Sequence, residues 1–525
     1  DNYLLLSSFR IFFHVGIPKE KYTIELSHHP GLNIDIVFHN KASPDSTTET
    51  EKKKTYLWKK INLPGCIHEK GARPYFSLPC VVFSIKPVEL LYVLPNSFEQ
   101  KYVPFYSILS YLREKGIVSL TVAMMVNAKT RHYHELREFV KASIRGIKND
   151  SLKYNQLMKL HHIIVDKFAF DNDEDYFRRI DTRNERLGDY INKKVLRDIS
   201  RYHLYAAVIL ALELDYYTAY LCDKRCGVIS NDYFIPMFNS DYLYMVILKN
   251  GAPQFLYPKK SRFGYYLNEL PFYFEGTTAR LVHPLDYAGY KQPINEKLRI
   301  SITPTSNIND NIRMSNVRVN INTDSLTADF HAKINLMGQF STMTRGLYQY
   351  DHKDKTVCEN YHKKIWEINE NIRLIESDCQ VIKREFPFTT VVAAKYSCDN
   401  ILKMTGDTCL LDLSNWFNHI IYNDFDIRNR QMDFHPDFLS KDTYTYFIQF
   451  DKNIEIQDNT PHREINNDFG KHIISITQPQ PNTIMIKSLF VIHGNKVSAK
   501  DIKQVNKIYK NIKTLNNKIL ELTIQ

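Results

Sequence analysis

The sequence has no apolar run near the ~20 residues that a membrane-spanning helix needs; its longest apolar stretches are residues 206–212 and 122–126. Glycine and proline are scarce, at 17 and 21 of 525 residues, which excludes a collagen-like or glycine-rich chain. The net charge of +11 is not gathered into a basic block, because the nearest run, 52–54, adjoins two glutamates. We therefore expect a globular protein with no transmembrane span and no nucleic-acid partner.

Cysteine pairs with the spacing of a metal site are also missing. The eight cysteines include no C-x-x-C pair, and no His pair at zinc spacing accompanies the nearest two, Cys222 and Cys226. The acidic segment 171–175 lacks the Gly turn and the terminal Glu of an EF-hand calcium loop. We expect no metal and no cofactor, while the even number of cysteines permits disulfides in an oxidising compartment.

Aromatic residues are abundant, with 34 Tyr and 30 Phe, which favours strands over disorder. Alternating apolar residues predict strands at 34–38 and 81–85, and the polar stretch 40–54 between them reads as a hairpin tip or a disordered loop. Helical spacing predicts helices at 152–168 and 195–214. A buried strand at 216–221 and a hairpin around Asn250-Gly251 should follow.

Strand patterns return after about residue 288 and continue almost to the end of the chain. The exceptions are a predicted helix at 361–376 and an amphipathic terminal helix at 499–522. We therefore expect an α+β multidomain chain with a β-rich N-terminal domain and linker helix (1–145), an α+β core (146–287) and a β-rich C-terminal domain with a terminal helix (288–525).

Several segments together resemble the large transglutaminase-like proteins of Bacteroidetes. The segment 55–84 is similar to the signature that ends their N-terminal β domain. Further similar segments, in the family's order, are 210–221, 268–281, 326–345 (with Gly338 and Arg345) and 434–522. The resemblance implies a papain-like transglutaminase core between two β-rich domains. It also implies secretion to the periplasm, consistent with a signal peptide removed before Asp1, although an expressed fragment would begin in the same way.

The family's chemistry uses a Cys nucleophile at a helix start, a His base on the next strand and an orienting Asp after it. By the resemblance these positions fall on Ile199, Met245 and Tyr257. None of the three side chains can replace the residue that catalysis needs. The alignment therefore predicts a protein that is not an enzyme, in which the three side chains cluster where the triad lies in active relatives.

Other catalytic arrangements stay open. Cys222 or Cys226 could act with His283 and Asp286, because Asp223-Lys224-Arg225 between the two cysteines could stabilise a thiolate; the alternative is a loop with two ordinary thiols or a local disulfide. Ser200 and His203 stand three residues apart on a predicted helix, a spacing more typical of a surface hydrogen bond than of a dyad.

These patterns lead to one functional hypothesis and two alternatives. The leading expectation is a catalytically inactive transglutaminase-like protein that binds polypeptides or serves as a scaffold in the periplasm or at the outer membrane. The alternatives are an assembly subunit whose cleft is packed shut, and an active cysteine amidase or hydrolase.

Overall fold

The computed structural model describes residues 8–31, 34–66, 69–85, 153–170, 195–196, 204–205, 208–209, 212, 214, 216–227, 240–247, 253–257, 266–282, 299–347, 371–406, 408–420, 430–457 and 462–525. The chain forms two compact units: residues 1–68 with 73–304, and residues 69–72 with 305–525. Among the described helices, none is both long and apolar enough to cross a membrane. The three-domain boundaries drawn from the sequence stay a prediction.

The N-terminal part of the first unit is β-rich, as predicted. Its elements are β1 (Ser8–Phe12), β2 (Lys19–His28), β3 (Ile34–His39), β4 (Ser46–Glu49), β5 (Lys54–Leu63), α1 (Pro74–Ser77) and β6 (Cys80–Ile85). They form two three-stranded sheets with the orders β1-β6-β3 and β2-β5-β4. The stretch 40–54 contains a hairpin, one of the two structures expected for it, because β4 pairs in register with β5.

The rest of the first unit contains a helix and an antiparallel sheet. Its elements are α2 (Lys153–Lys167), β7 (Ala169–Phe170), β8 (Val195–Leu196), β9 (Tyr216–Cys222), β10 (Ser240–Ile247), β11 (Pro253–Leu256), a 3₁₀ turn (Phe272–Phe274), β12 (Thr278–Val282) and β13 (Arg299–Ile302). The five-stranded sheet has the order β11-β10-β9-β12-β13, which makes β9 its central strand. The helix predicted from residue 195 is wrong at its start, where β8 pairs with β7.

Two sheets dominate the second unit. Its strands are β14 (Ile312–Asn322), β15 (Thr327–Met337), β16 (Ile372–Lys383), β17 (Thr389–Cys398), β18 (Leu402–Thr405), β19 (Thr408–Asp412), β20 (Ser440–Phe450), β21 (Ile454–Ile456), β22 (His462–Asn466), β23 (Gly470–Gln480), β24 (Thr483–Ile492) and β25 (Ile519–Ile524); its helices are α3 (Gln339–Leu347) and α4 (Lys503–Asn516). The sheet orders are β16-β17-β15-β14-β20-β24-β23-β22 and β18-β19-β25-β21.

Alternating side chains of the eight-stranded sheet form the main core. On β20, for example, Tyr444, Tyr446 and Ile448 point inward and are buried, and the core also contains Trp416 and Leu522. A second cluster buries Val505, Ile508 and Ile512 of α4 against Phe469 and Phe490, which fits the amphipathic spacing of this helix. The α+β multidomain class predicted from the sequence is confirmed.

Two predicted helix ends in this unit are wrong. The helix expected at 361–376 cannot extend past residue 371, because Ile372 begins β16; residues 361–370 lie outside the described part of the chain. The terminal helix ends at Asn516 instead of continuing to Leu522. The chain then forms β25, with Leu520 and Leu522 buried and Ile519 exposed, so period-2 burial replaces the helical stripe.

Candidate functional site

The predicted triad positions can be followed only in part. Ile199 lies outside the described residues. Met245 is on β10, where its backbone is paired with Phe255 of β11. Tyr257 follows β11 directly, is buried, and packs edge-on against Phe274 at 5.6 Å between ring centroids. Position 245 thus lies on β10 and position 257 directly after its neighbour β11, whereas clustering of all three side chains stays a prediction.

The structure does not describe several other candidate catalytic and metal-binding residues. His283, Asp286, Ser200, His203 and the acidic segment 171–175 lie outside the described residues. In the described ranges, no three His, Cys, Asp or Glu side chains are placed to hold a metal ion. The expectation of no metal and no cofactor therefore stays a prediction.

Cys222 and Cys226 are the predicted residues that the structure does bring together. Cys222 ends the central strand β9, and the chain then turns sharply through Asp223–Gly227. The carbonyl oxygen of Asp223 accepts the backbone N–H of Cys226 at 2.8 Å and that of Gly227 at 3.1 Å. The Cys222 thiol donates to the same oxygen at 3.6 Å. One carbonyl thus gathers the sulfur of Cys222 and the backbone of Cys226.

The side chain of Asp223 locks this turn. Its Oδ1 accepts the backbone N–H of Arg225 at 2.8 Å, and its Oδ2 accepts Nη2 of the same arginine at 2.6 Å. The Lys224 N–H donates to the carbonyl of Tyr273 at 3.0 Å, which ties the turn to the 3₁₀ segment. Asp223 thus binds Arg225, while its negative charge also opposes ionisation of the neighbouring Cys222 thiol.

Arg10 of β1 extends to the turn. Its Nη1 donates to the Cys226 carbonyl at 2.5 Å, and its guanidinium lies 4.6 Å from the centroid of the Tyr75 ring. Gly227 permits this approach, because a Cβ there would lie 3.0 Å from Arg10 Nη2 and 3.4 Å from Cys222 Sγ. Within the described part of the chain, the buried Nε and Nη2 of Arg10 have no hydrogen-bond partner. A cation with two unused donors therefore lies beside a buried thiol.

Burial controls the acidity of these thiols. It raises the pKa of Cys222 to about 12, although the positive charge of Arg10 acts in the opposite direction. Burial likewise raises the pKa of Cys80 to about 11, again against the influence of Arg10. Cys222 is thus protonated and a weak nucleophile at neutral pH. Cys226 is only half-buried, which makes it the more accessible thiol of the pair.

A second polar cluster lies in the core of the second unit, and our sequence reasoning missed it. Asp442 accepts from Arg313 Nε at 2.7 Å and from His419 Nδ1 at 2.9 Å. The Ser488 hydroxyl lies between two imidazoles, 2.8 Å from His419 Nε2 and 2.9 Å from His472 Nε2. The Asn511 amide donates to His472 Nδ1 at 2.9 Å. Five polar side chains and one arginine thus form a continuous chain of hydrogen bonds.

The donor and the acceptor of each hydrogen bond in this network follow from the groups at its two ends, Asn511 and Asp442. Because the Asn511 amide N–H can only donate, His472 accepts at Nδ1 and donates from Nε2 to Ser488. Ser488 then donates to His419, whose Nδ1–H donates to Asp442. Burial of His472 lowers its pKa to about 2. Burial alone would raise the pKa of Asp442, but Arg313 and His419 together outweigh it through charge and hydrogen bonds, and the pKa falls to about 2.

The Asp442–His419–Ser488 portion has the connectivity of a serine hydrolase triad. Ser488 is 0% exposed and His419 is 3% exposed, so a substrate cannot reach the hydroxyl. The cluster is therefore structural. A sequence signal for it existed, because Asp442, His472 and Ser488 occupy inward positions of strands whose other inward residues are mostly apolar.

Comparison with known proteins supports the fold. Residues 410–522 match a family described as a domain of unknown function with a solved structure, DUF3858. A crystal structure of a candidate protease from Parabacteroides distasonis is similar over 99% of this chain and 76% of that protein, with a TM-score of 0.51 and 10% identity. A candidate cysteine protease from Cytophaga hutchinsonii matches 50% of this chain and 73% of that protein, with a TM-score of 0.19 and 10% identity. No curated protein matches the sequence.

These neighbours correct one expectation from the sequence. The prediction that the chain is not an enzyme is contradicted by this comparison, because the Parabacteroides distasonis protein, which shares the fold, is named as a protease. The similarity to the Parabacteroides distasonis protein shows a shared fold. The α+β architecture expected from the resemblance is therefore found in a protein from the same group of bacteria.

Proposed function

We propose that this chain binds polypeptides in the bacterial cell envelope, in the periplasm or at the outer membrane. Support for a polypeptide ligand comes from the protease-like fold and, more directly, from an edge of the eight-stranded sheet that has no further partner among the described strands. Support for the location comes from the resemblance to secreted Bacteroidetes proteins. Fractionation of the native organism tests the location, and recovery in the cytoplasm would contradict it.

The edge strand β16 is the observation that carries the binding proposal. Among the described strands it pairs only with β17. Two register shifts, at Leu374/Glu376 and Val381/Lys383, leave Ile375 and Ile382 as extra residues, and each is 60% exposed. Exposed apolar side chains on an edge strand mark a place where another chain can add in extended form. The regular segment 376–381 between the bulges offers six residues, about three two-residue repeats of a strand, for such pairing.

Binding of fluorescein-labelled casein, an unfolded polypeptide, tests this proposal by fluorescence anisotropy. Burial of one isoleucine contributes roughly 1.5–3 kcal/mol, so we expect I375D/I382D to weaken binding by about tenfold or more. The matched control is I519D, which changes an isoleucine that is 53% exposed on the other sheet. Absence of binding by the unmodified protein, or equal losses in both variants, would refute the proposal.

A second candidate function is thiol-dependent amide hydrolysis at the 222–227 turn. The favouring observation is the half-buried Cys226, whose carbonyl binds Arg10 in a protease-like core. In this mechanism the Cys226 thiolate attacks the amide carbon, and His283 donates a proton to the leaving amine. Water then hydrolyses the thioester and restores the thiol.

Release of fluorescent peptides from the same labelled casein tests hydrolysis. We expect C226S and H283A to abolish release, and C66S, which changes another half-buried cysteine of the first unit, to retain it. Release that survives C226S would exclude this thiol as the nucleophile. Binding without release would leave polypeptide capture as the function.

A further inference from the structure

We propose that Cys222 and Cys226 form a reversible disulfide that closes the turn at the end of the central strand β9. The inference does not depend on polypeptide binding or hydrolysis. It assigns a redox modification site to a turn whose two thiols are free in this structure.

Backbone geometry brings the two sulfur-bearing residues together. The hydrogen bond from Cys226 N–H to Asp223 O closes a turn whose end residues, Asp223 and Cys226, have Cα atoms within about 7 Å of each other. Cys222 directly precedes this turn. Cys222 Sγ lies against this same carbonyl at 3.6 Å. It also lies 3.4 Å from the position that a Cβ of Gly227, the neighbour of Cys226, would occupy. A disulfide needs a Cα separation of roughly 4.4–6.8 Å, so the proposal requires this turn to bring the Cα atoms of Cys222 and Cys226 to that separation.

Arg10 supplies the electrostatic help that exchange requires. Its Nη1 holds the Cys226 carbonyl, and its buried Nε and Nη2 have no hydrogen-bond partner in the described ranges. A thiolate that forms at Cys222 during exchange would therefore face a cation with unused donors. The neighbouring acid, Asp223, is bound to Arg225, and its negative charge acts against that of Arg10 at Cys222.

Exposure sets the order of the steps. With glutathione disulfide as the oxidant, the half-buried Cys226 thiolate attacks one sulfur, forms a mixed disulfide and releases one glutathione thiolate. Cys222 then loses its proton and attacks the Cys226 sulfur, which expels the second glutathione thiolate. Two protein thiols become one disulfide, and one glutathione disulfide becomes two glutathione thiols.

The test is incubation of the purified full chain in glutathione buffers of graded redox ratio, followed by alkylation and peptide mapping. We expect a crosslinked 222–226 peptide that dithiothreitol reverses, and C222S should stop at a glutathione adduct on Cys226. Both thiols still alkylatable after full oxidation, a stable adduct in the unmodified protein, or a crosslink to Cys80 would each overturn the proposal.

Arg10 provides an independent kinetic readout. One unit of pKa corresponds to about a tenfold change in thiolate population near neutral pH, so we expect R10Q to close the disulfide about tenfold more slowly. R73Q, which removes another arginine of the first unit, is the control. Equal closure rates in R10Q and the unmodified protein would refute the role given to Arg10.

Discussion

Two buried charged groups, one in each unit, differ in how completely they are hydrogen-bonded. In the second unit, both oxygens of Asp442 are bound, by Arg313 and by His419, and the hydrogen bonds continue to Ser488 and beyond. In the first unit, Arg10 uses Nη1 but leaves Nε and Nη2 unpaired among the described residues. A carboxylate bound at both oxygens stabilises one structure, whereas unused donors beside a thiol leave room for chemistry.

The contrast predicts its largest effect at Asp442. Its replacement by alanine leaves the Arg313 charge and the His419 N–H buried without their partner. Breaking such a pair costs about 3–5 kcal/mol, so we expect D442A to lower the free energy of unfolding by that amount. Urea denaturation followed by circular dichroism measures it. D324A removes an exposed carboxylate that pairs with Lys452 and should change stability little; an equal loss in both variants would contradict the prediction.

Acid should weaken the second unit through His472. Its pKa is about 2 in the folded protein and about 6.5 when unfolded. Between these values the unfolded chain binds the extra proton, so stability is full above pH 6.5 and falls by about 1.4 kcal/mol per pH unit below it. Asp442, held at about 2 against 3.8, adds a loss only below about pH 4.

Unfolding free energies of the unmodified protein and H472Q at several pH values measure this dependence. The variant should be less stable at pH 7. The difference should shrink by about 3 kcal/mol between pH 6.5 and 4, because glutamine does not take up a proton. Parallel pH profiles would show that His472 is not held neutral by its burial.

Arg10 should matter much less for stability than Asp442. R10M removes a charged hydrogen bond to the Cys226 carbonyl, worth about 1.5–3 kcal/mol, but it also removes an incompletely paired buried cation, which offsets part of that loss. We therefore expect a change of no more than about 1 kcal/mol in unfolding free energy, together with slower thiol reaction at Cys222. Urea denaturation and timed alkylation measure the two effects. A loss of unfolding free energy as large as that of D442A would show that Arg10 contributes as much to stability as Asp442 does.

The smallest effect is expected at Gly227. A methyl group there would press on Arg10 Nη2, the end of a flexible side chain, so we expect G227A to cost less than about 1 kcal/mol. It should nevertheless shift the guanidinium away from Cys222 and slow the same alkylation. G406A is a control, because nothing lies within 4 Å of a Cβ at that position, although its positive φ adds its own strain. Unchanged alkylation kinetics in G227A would show that the position of Arg10 does not affect the reactivity of the Cys222 thiol.

Local patterns were reliable where one face of an element meets the core. The alternation in β20 and β24 and the apolar stripe of α4 each predicted the element that formed, because burial of a single face dictates the period. Prediction failed where a partner strand decided the outcome. Ile372 begins β16 through pairing with β17, and Ile519 begins β25 through pairing with β19.

The sequence by itself determined the α+β class, the strand-rich ends of the chain and the closeness of Cys222 and Cys226, since these depend on neighbours along the chain. Only the tertiary structure decided that Arg10 lies beside those cysteines, although it is 216 positions from Cys226 along the chain. It also decided that Asp442, His419 and Ser488 share one network. Strand order and register bring such residues together. These depend on how whole faces pack, which no local period encodes.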